Sequence, residues 1–301
     1  MKLFLDCIPC LLRQTLDSSR AVTDDPAIHE KILREVLAWC ATVDLSESSP
    51  VIASRIHRRL RELSGVDDPY AEAKAAQNQM ALKLMPQVEQ ALAEADDPLE
   101  LSVRLAIAGN IIDLGVKGSI EKADVHESIR KALESGVDGD FEEFRAAVER
   151  AESILYLADN AGEIVFDRLL LERLPREKIT LAVRGYPVIN DVTMADAIQC
   201  KITELVKVVD NGSDAPGTVL SECSAEFREI FAAADLIISK GQGNFETLNE
   251  VEANIFFLFK VKCPMVAEQS GMKIGSQVLM HQSRQQRLDA LPLTESSSIL
   301  L

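Results

Sequence analysis

The hydrophobic pattern of this chain changes period near residue 150, and that change constrains the fold more than any other feature. Before it, apolar residues recur at three and four, the spacing of amphipathic helices. This pattern predicts helices over 8–20, 27–42, 50–64, 70–95 and 99–112, with shorter ones over 121–134 and 140–150. Asp25-Pro26, Asp68-Pro69 and Asp97-Pro98 precede three of them. Proline suits a helix start, where its missing N–H has no intrahelical partner to lose. After residue 150, short apolar runs alternate with helices. The runs at 153–158, 178–183, 204–209, 235–239, 253–258 and 265–267 read as strands, and 163–173 and 221–233 as helices. Strands separated by helices pair in parallel through right-handed crossovers, which makes a three-layer α/β sheet. The expected organisation is an all-helical domain over 1–150, an α/β/α sandwich with a mainly parallel sheet over 151–281, and a polar tail over 282–301.

Composition narrows the function classes. Among 301 residues, 47% are hydrophobic and 27% charged, a globular balance. The net charge of −16 repels phosphate backbones and anionic lipid, so neither nucleic acid nor a membrane surface is expected as a partner. An anionic substrate therefore needs a local positive centre. The apolar stretch 253–259 is broken by Lys260 and Lys262, far short of a membrane span. Asp6 and the lack of a small-residue cleavage site argue against a signal peptide. The six cysteines are sparse and read as reduced thiols, so a cytoplasmic location is expected.

Polar clusters follow three of the predicted strands directly. They are Asp159-Asn160-Ala161-Gly162-Glu163, the stretch Arg184-Gly185-Tyr186-Pro187 with Asn190-Asp191, and Lys240-Gly241-Gln242-Gly243-Asn244-Phe245-Glu246. Open parallel sheets bind ligands beyond the carboxyl ends of their strands, where these clusters converge. Asp159, the Asn160 side-chain carbonyl and Asp191 are hard oxygen donors suited to Mg²⁺ or Mn²⁺, with Co²⁺ and Ni²⁺ as further candidates. Lys240 offers a compact cation, and the Gly241–Gly243 backbone can approach a phosphate. Metal, lysine and backbone donors together are the equipment of phosphoryl transfer. Taken singly, each Asp-Asn or Asn-Asp pair also reads as a helix cap or turn. Gly241-x-Gly243-x-x-Glu246 only approaches a dinucleotide fingerprint, since glutamate replaces its third glycine.

These segments resemble the damage-control phosphatases. Ala108-Gly109-Asn110-Ile111-Ile112-Asp113-Leu114-Gly115 and Asp68-Pro69-Tyr70 with Lys74 and Asn78 fit the same pattern. Cys7-Ile8-Pro9-Cys10 resembles the compact prokaryotic branch. The resemblance runs from the first residues to about Leu279. It implies a helical domain packed on the sandwich and a metal-dependent phosphatase acting on small phosphorylated metabolites such as sugar phosphates, damaged or side-product ones among them. By that resemblance Asp159, Asn160 and Asp191 hold the metal, and Lys240 with the Gly241 backbone holds the phosphate. Asn110 and Asp113 line the pocket as catalytic candidates, Glu163 and Arg184 neighbour the phosphate, and Lys74 and Asn78 contribute to the pocket wall. The nucleophile is left open between a water and an aspartate.

Two other classes compete. Proteins resembling this family have also been described as carboxyl methyltransferases using S-adenosylmethionine. The Asp159–Glu163 segment has a single glycine, however, and the second strand ends in Arg184 rather than an acid. A non-catalytic protein that binds phosphorylated metabolites would keep Lys240 and the glycines without needing three metal ligands. Cys7-x-x-Cys10 lacks the βαβ setting of a thioredoxin-like site and has no second paired motif, so structural thiols lead over an accessory metal site. The four histidines fall in no motif.

Overall fold

The computed structural model describes residues 1–109 and 136–283. Among them are eleven α-helices and seven strands. Five helices open the chain: α1 (Cys7–Val22), α2 (Pro26–Cys40), α3 (Ser49–Ser64), α4 (Ala71–Ala93) and α5 (Pro98–Ala108). The Asp-Pro signal works as a helix start at two places. Asp25 accepts the Ala27 N–H and Asp97 the Glu100 N–H, with proline in the first turn each time. At the third, Asp68 accepts the Tyr70 N–H and α4 begins one residue later. The predicted helix over 121–134 and the end of 99–112 lie outside the described residues.

The strands are β1 (Val137–Gly139), β2 (Ile154–Leu157), β3 (Ile179–Val183), β4 (Lys207–Asp210), β5 (Leu236–Lys240), β6 (Ile255–Lys260) and β7 (Gln277–His281). They form one sheet in the order β1-β7-β6-β5-β2-β3-β4, parallel at every pairing except β6 with β7. Alternate strand residues supply two cores, as the period of two requires. Ile154, Tyr156, Leu181 and Ile238 pack with α4, α5, α6 (Phe141–Arg150) and α7 (Glu163–Leu171). Leu155, Leu157, Ile237 and Phe257 pack with α9 (Ala225–Ala233), α10 (Gln242–Leu248) and α11 (Pro264–Ser270). A third core, with Leu11, Ile32, Val36 and Ile56, holds α1, α2 and α3 together. The fold class is thus mixed α/β with a seven-stranded, mostly parallel sheet.

Two features differ from the sequence reading. Residues 265–267 are not a strand but the middle of α11. Pro264 at its first position and Gly271 in the left-handed region at its end bracket a single short helix, and three apolar residues are too few to overrule those signals. The last strand is instead Gln277–His281. It runs antiparallel to β6 and carries β1 on its outer edge, where Gly139 allows its backbone to lie against Leu279. The sheet therefore draws on chain before residue 150, and α6 joins it through Phe144 stacked edge-on to Phe256 at 5.3 Å. Gln282, at the start of the expected tail, is buried against the Asn249 and Val251 carbonyls.

From β2 the chain steps to β3 and β4 on one side, then returns to β5 on the other. That reversal makes a topological switch point at the carboxyl ends of β2 and β5, the usual place for a ligand in such sheets.

Candidate active site

Asp159 and Asn160 follow the end of β2, at the switch point, and Asp191 follows β3 by one loop. The two segments are knitted together by backbone hydrogen bonds: Ala161 N–H to Asn190 O (2.8 Å), Val192 N–H to Asp159 O (2.9 Å) and Arg184 N–H to Val192 O (2.8 Å). Asn160 and Asp191 form an isolated antiparallel bridge. The loop that delivers Asp191 holds Ile189 at φ +43°, a conformation that β-branched residues rarely adopt. Strain of this kind persists where the surrounding structure over-determines it, often at functional sites.

Asp159, Glu163 and Asp191 are all buried. Burial, then the charges of Glu163 and Asp191, push the Asp159 carboxyl well above the usual range, against the pull of Lys262 and Arg184. Burial also raises Asp191, although the Arg184 Nε donates to its Oδ2 at 2.7 Å. Arg184 reaches Thr218 and Asn244 with its other nitrogens, both at 3.3 Å. Asn160 donates its amide to Asp159 Oδ2 at 2.6 Å and to Glu163 Oε2 at 3.3 Å. Two carboxylates on one side of the amide require its NH₂ there, which leaves the carbonyl oxygen on the other side as a possible ligand.

Gly241, between β5 and α10, has φ +84°, and a Cβ there would overlap the Asp159 carboxylate. Its N–H donates to Leu258 O at 2.9 Å within the sheet. The glycine thus gives room to the Asp159 carboxylate. Lys240 is fully buried, and its ammonium has three N–H donors, all engaged: Ala106 O at 2.8 Å, Glu163 Oε1 at 2.6 Å and Asp167 Oδ1 at 2.6 Å. Burial disfavours its charge, but the two carboxylates outweigh that and its pKa is raised.

Asn78 and Lys74 are buried braces rather than open pocket wall. Asn78 accepts the Gly162 N–H at 2.7 Å and donates to Asp196 at 3.0 Å and Gln199 at 2.8 Å. Lys74 pairs with Asp68 and Asp196, each at 3.1 Å. Asn110 and Asp113 lie outside the described residues.

Several participants escaped the sequence reading. Asp167 is a fully buried carboxylate amid the apolar positions of α7, whose other charged residues are Glu163 and half-buried Arg168. Thr218 and Asp214 belong to the run 211–218 that follows β4 as directly as the three clusters follow their strands. Asp214 accepts from Arg58 Nε at 2.8 Å and Arg61 Nη2 at 2.6 Å; burial raises its pKa, but the two guanidiniums bring it below the ordinary value. Arg61 also donates to Pro187 O at 2.6 Å, tying α3 to the loop of Asp191. Lys262, just past β6, is exposed yet near enough for its charge to reach Asp159.

Among the described residues, no three His, Cys, Asp or Glu side chains close on one point as a ready metal cage. The candidate donor set is two carboxylates and an amide carbonyl, all oxygen. It fits a hard divalent ion, because two buried carboxyls pushed upward by burial and mutual repulsion are the groups such an ion would relieve. No helix among the described residues is long and apolar enough to cross a membrane.

Residues 3–278 match the family model described as the damage-control phosphatase ARMT1-like domain. A damage-control phosphatase of Pyrococcus horikoshii is 37% identical over 286 residues, covering 93% of this chain and 98% of that protein. Another of Archaeoglobus fulgidus is 34% identical over 287 residues, 92% of this chain and 98% of its own. An uncharacterized protein of Methanocaldococcus jannaschii is 35% identical over 297 residues, 93% of this chain and 95% of its own. A crystal structure of a DUF89 family protein from Pyrococcus horikoshii matches with a TM-score of 0.86 and 34% identity, over 94% of this chain and 99% of that one.

Proposed function

Because the chain belongs to the damage-control phosphatase family, we propose that it hydrolyses phosphate monoesters of small metabolites, sugar phosphates among them, with a divalent ion at Asp159, Asn160 and Asp191. The observation that carries this reading is the pair of buried carboxyls that follow adjacent strands, both shifted upward, with the Asn160 side chain held beside Asp159 by its own hydrogen bond. A bound Mg²⁺ or Mn²⁺ supplies charge neutralisation at the phosphate and favours in-line attack. The protein's own groups do the rest. Arg184 holds Asp191 in place through Nε, Asn244 and Thr218 hold Arg184, and Gly241 leaves space for the Asp159 carboxylate. Arg184 and Lys262 are the cations whose charges reach Asp159, and they offset the negative potential that a −16 chain presents to an anionic substrate.

The test is hydrolysis of p-nitrophenyl phosphate by metal-stripped protein, with Mg²⁺, Mn²⁺, Co²⁺ or Ni²⁺ restored singly, beside Asp159→Ala and Asp191→Ala. Turnover that requires an ion and falls at least a hundred-fold in both variants supports the assignment. Turnover without any ion, or variants as active as the parent, overturns it. A panel of sugar phosphates then ranks substrates by kcat/KM.

A further inference from the structure

Asp167 touches none of the three proposed metal ligands in the hydrogen bonds described above, yet it is a fully enclosed carboxylate close to them. It sits one turn after Glu163 on α7, fully buried. Its Oδ1 accepts from the Tyr156 hydroxyl at 2.8 Å and from Lys240 Nζ at 2.6 Å, and its Oδ2 has no hydrogen-bond partner. An apolar core gains nothing from such a group by itself, since burying a carboxylate is costly unless it is paired. What Asp167 holds is Lys240, and Lys240 in turn holds Glu163 at 2.6 Å. Glu163 then takes one hydrogen of the Asn160 amide through its other oxygen. The hydrogen bonds run without a break from Tyr156 through Asp167, Lys240 and Glu163 to Asn160.

The geometry points to Asp167 as a positioning residue: with Ala106 O it anchors Lys240 so that Lys240 fixes Glu163, and Glu163 fixes the face of the Asn160 amide presented to the ion. This rests on the reading of Asp159, Asn160 and Asp191 as the metal site. Lys240 accordingly works through Glu163 and not on the phosphate, because all three of its N–H donors are already engaged. Partners that orient a metal's ligands in this way commonly change metal affinity ten- to a hundred-fold when removed. A lysine that bound the phosphate directly would instead leave metal affinity alone and change KM.

The experiment measures Mn²⁺ affinity without substrate, by the loss of the free-ion electron paramagnetic resonance signal, in the parent, Asp167→Asn, Tyr156→Phe and Lys240→Met. Thermal melts and KM for p-nitrophenyl phosphate are recorded alongside. Asp167→Asn and Lys240→Met should weaken Mn²⁺ binding about ten-fold or more. Tyr156→Phe, which removes one hydroxyl, should weaken it by a factor of about two to five, with KM for the ester changed less than two-fold in each variant that folds. Parental Mn²⁺ affinity in Asp167→Asn, or a raised KM with unchanged Mn²⁺ affinity in Lys240→Met, overturns the proposal. Should Asp167→Asn fail to fold, Tyr156→Phe decides: parental affinity there leaves Asp167 with a structural role only and overturns the proposal as well. A parent that takes up no Mn²⁺ overturns the metal reading first and this one with it, so the two failures are told apart.

Discussion

At the scale of single residues, the site is shaped as much by a missing side chain as by the charged ones. Gly241 is required twice over: its φ of +84° disfavours any L side chain, and a Cβ would enter the Asp159 carboxylate. Gly65, which ends α3 at φ +69°, meets nothing within 4 Å of an added Cβ. The same change at both positions therefore separates strain from collision. Gly65→Ala should cost about 1 kcal/mol, the penalty of the left-handed region alone, and leave turnover intact. Gly241→Ala should lower the melting temperature further and abolish metal-dependent hydrolysis; equal melts and equal rates for the two variants would contradict this account. Sequence alone identifies Gly241 as important but does not show that the Asp159 carboxylate comes close to it. The pattern Lys240-Gly241 is compatible with phosphate or carboxylate approach, and only the position of β2 beside β5 decides for Asp159.

At the scale of elements, α4 is the strut that joins the helical half to the site. Asn78 braces the turn at Gly162, where α7 begins, and Asp196, whose side chain completes the capping box of α8 (Met194–Gln199) with Thr193. Lys74 reaches the same Asp196. Asn78→Ala would leave the buried Gly162 N–H and an Asp196 oxygen without their partner. The expected cost is about 2–4 kcal/mol of stability, read by denaturant unfolding. KM for the folded fraction should stay near the parent's. A raised KM with unaltered stability would instead put Asn78 at the substrate, as the sequence reading had it. Strand recognition succeeds where a strand is buried on both faces and reads as a continuous apolar run, as in β2, β5 and β6. It fails at the sheet's far edge. Val137–Gly139 is three residues long and largely exposed, and the 265–267 run is claimed by the proline and glycine around it.

At the scale of the whole molecule, the helical half meets the sandwich through a compact polar cluster. Arg58 and Arg61 clasp Asp214, and His57 lies fully buried beside them with its Nδ1 at 3.0 Å from the Tyr70 hydroxyl and its Nε2 without a partner. Burial, then the Arg61 charge, lowers the His57 pKa to about 4. Between that value and the ordinary 6.5 the unfolded chain binds the proton more readily than the folded one. The stability due to neutral His57 is thus present above pH 6.5 and is lost as pH falls through 4. The raised carboxyls Asp159 and Asp191 act in the opposite sense. The readout is therefore the stability difference between the parent and His57→Phe, which should shift against the parent by on the order of 3 kcal/mol as pH falls across that window. A difference independent of pH would contradict this assignment. The chain by itself determined the helical-then-alternating order, the clusters at the strand ends and the hard-oxygen character of Asp159, Asn160 and Asp191. Those follow from local periodicity and side-chain chemistry, which one sequence displays in full. Tertiary structure alone decided that Lys240 is engaged by Glu163 and Asp167, that Asn78 is a brace, and that Asp214 fastens α3 to the site. Each of these is a meeting of residues far apart in the chain or buried out of view, where burial and the number of available donors, not residue type, assign the role.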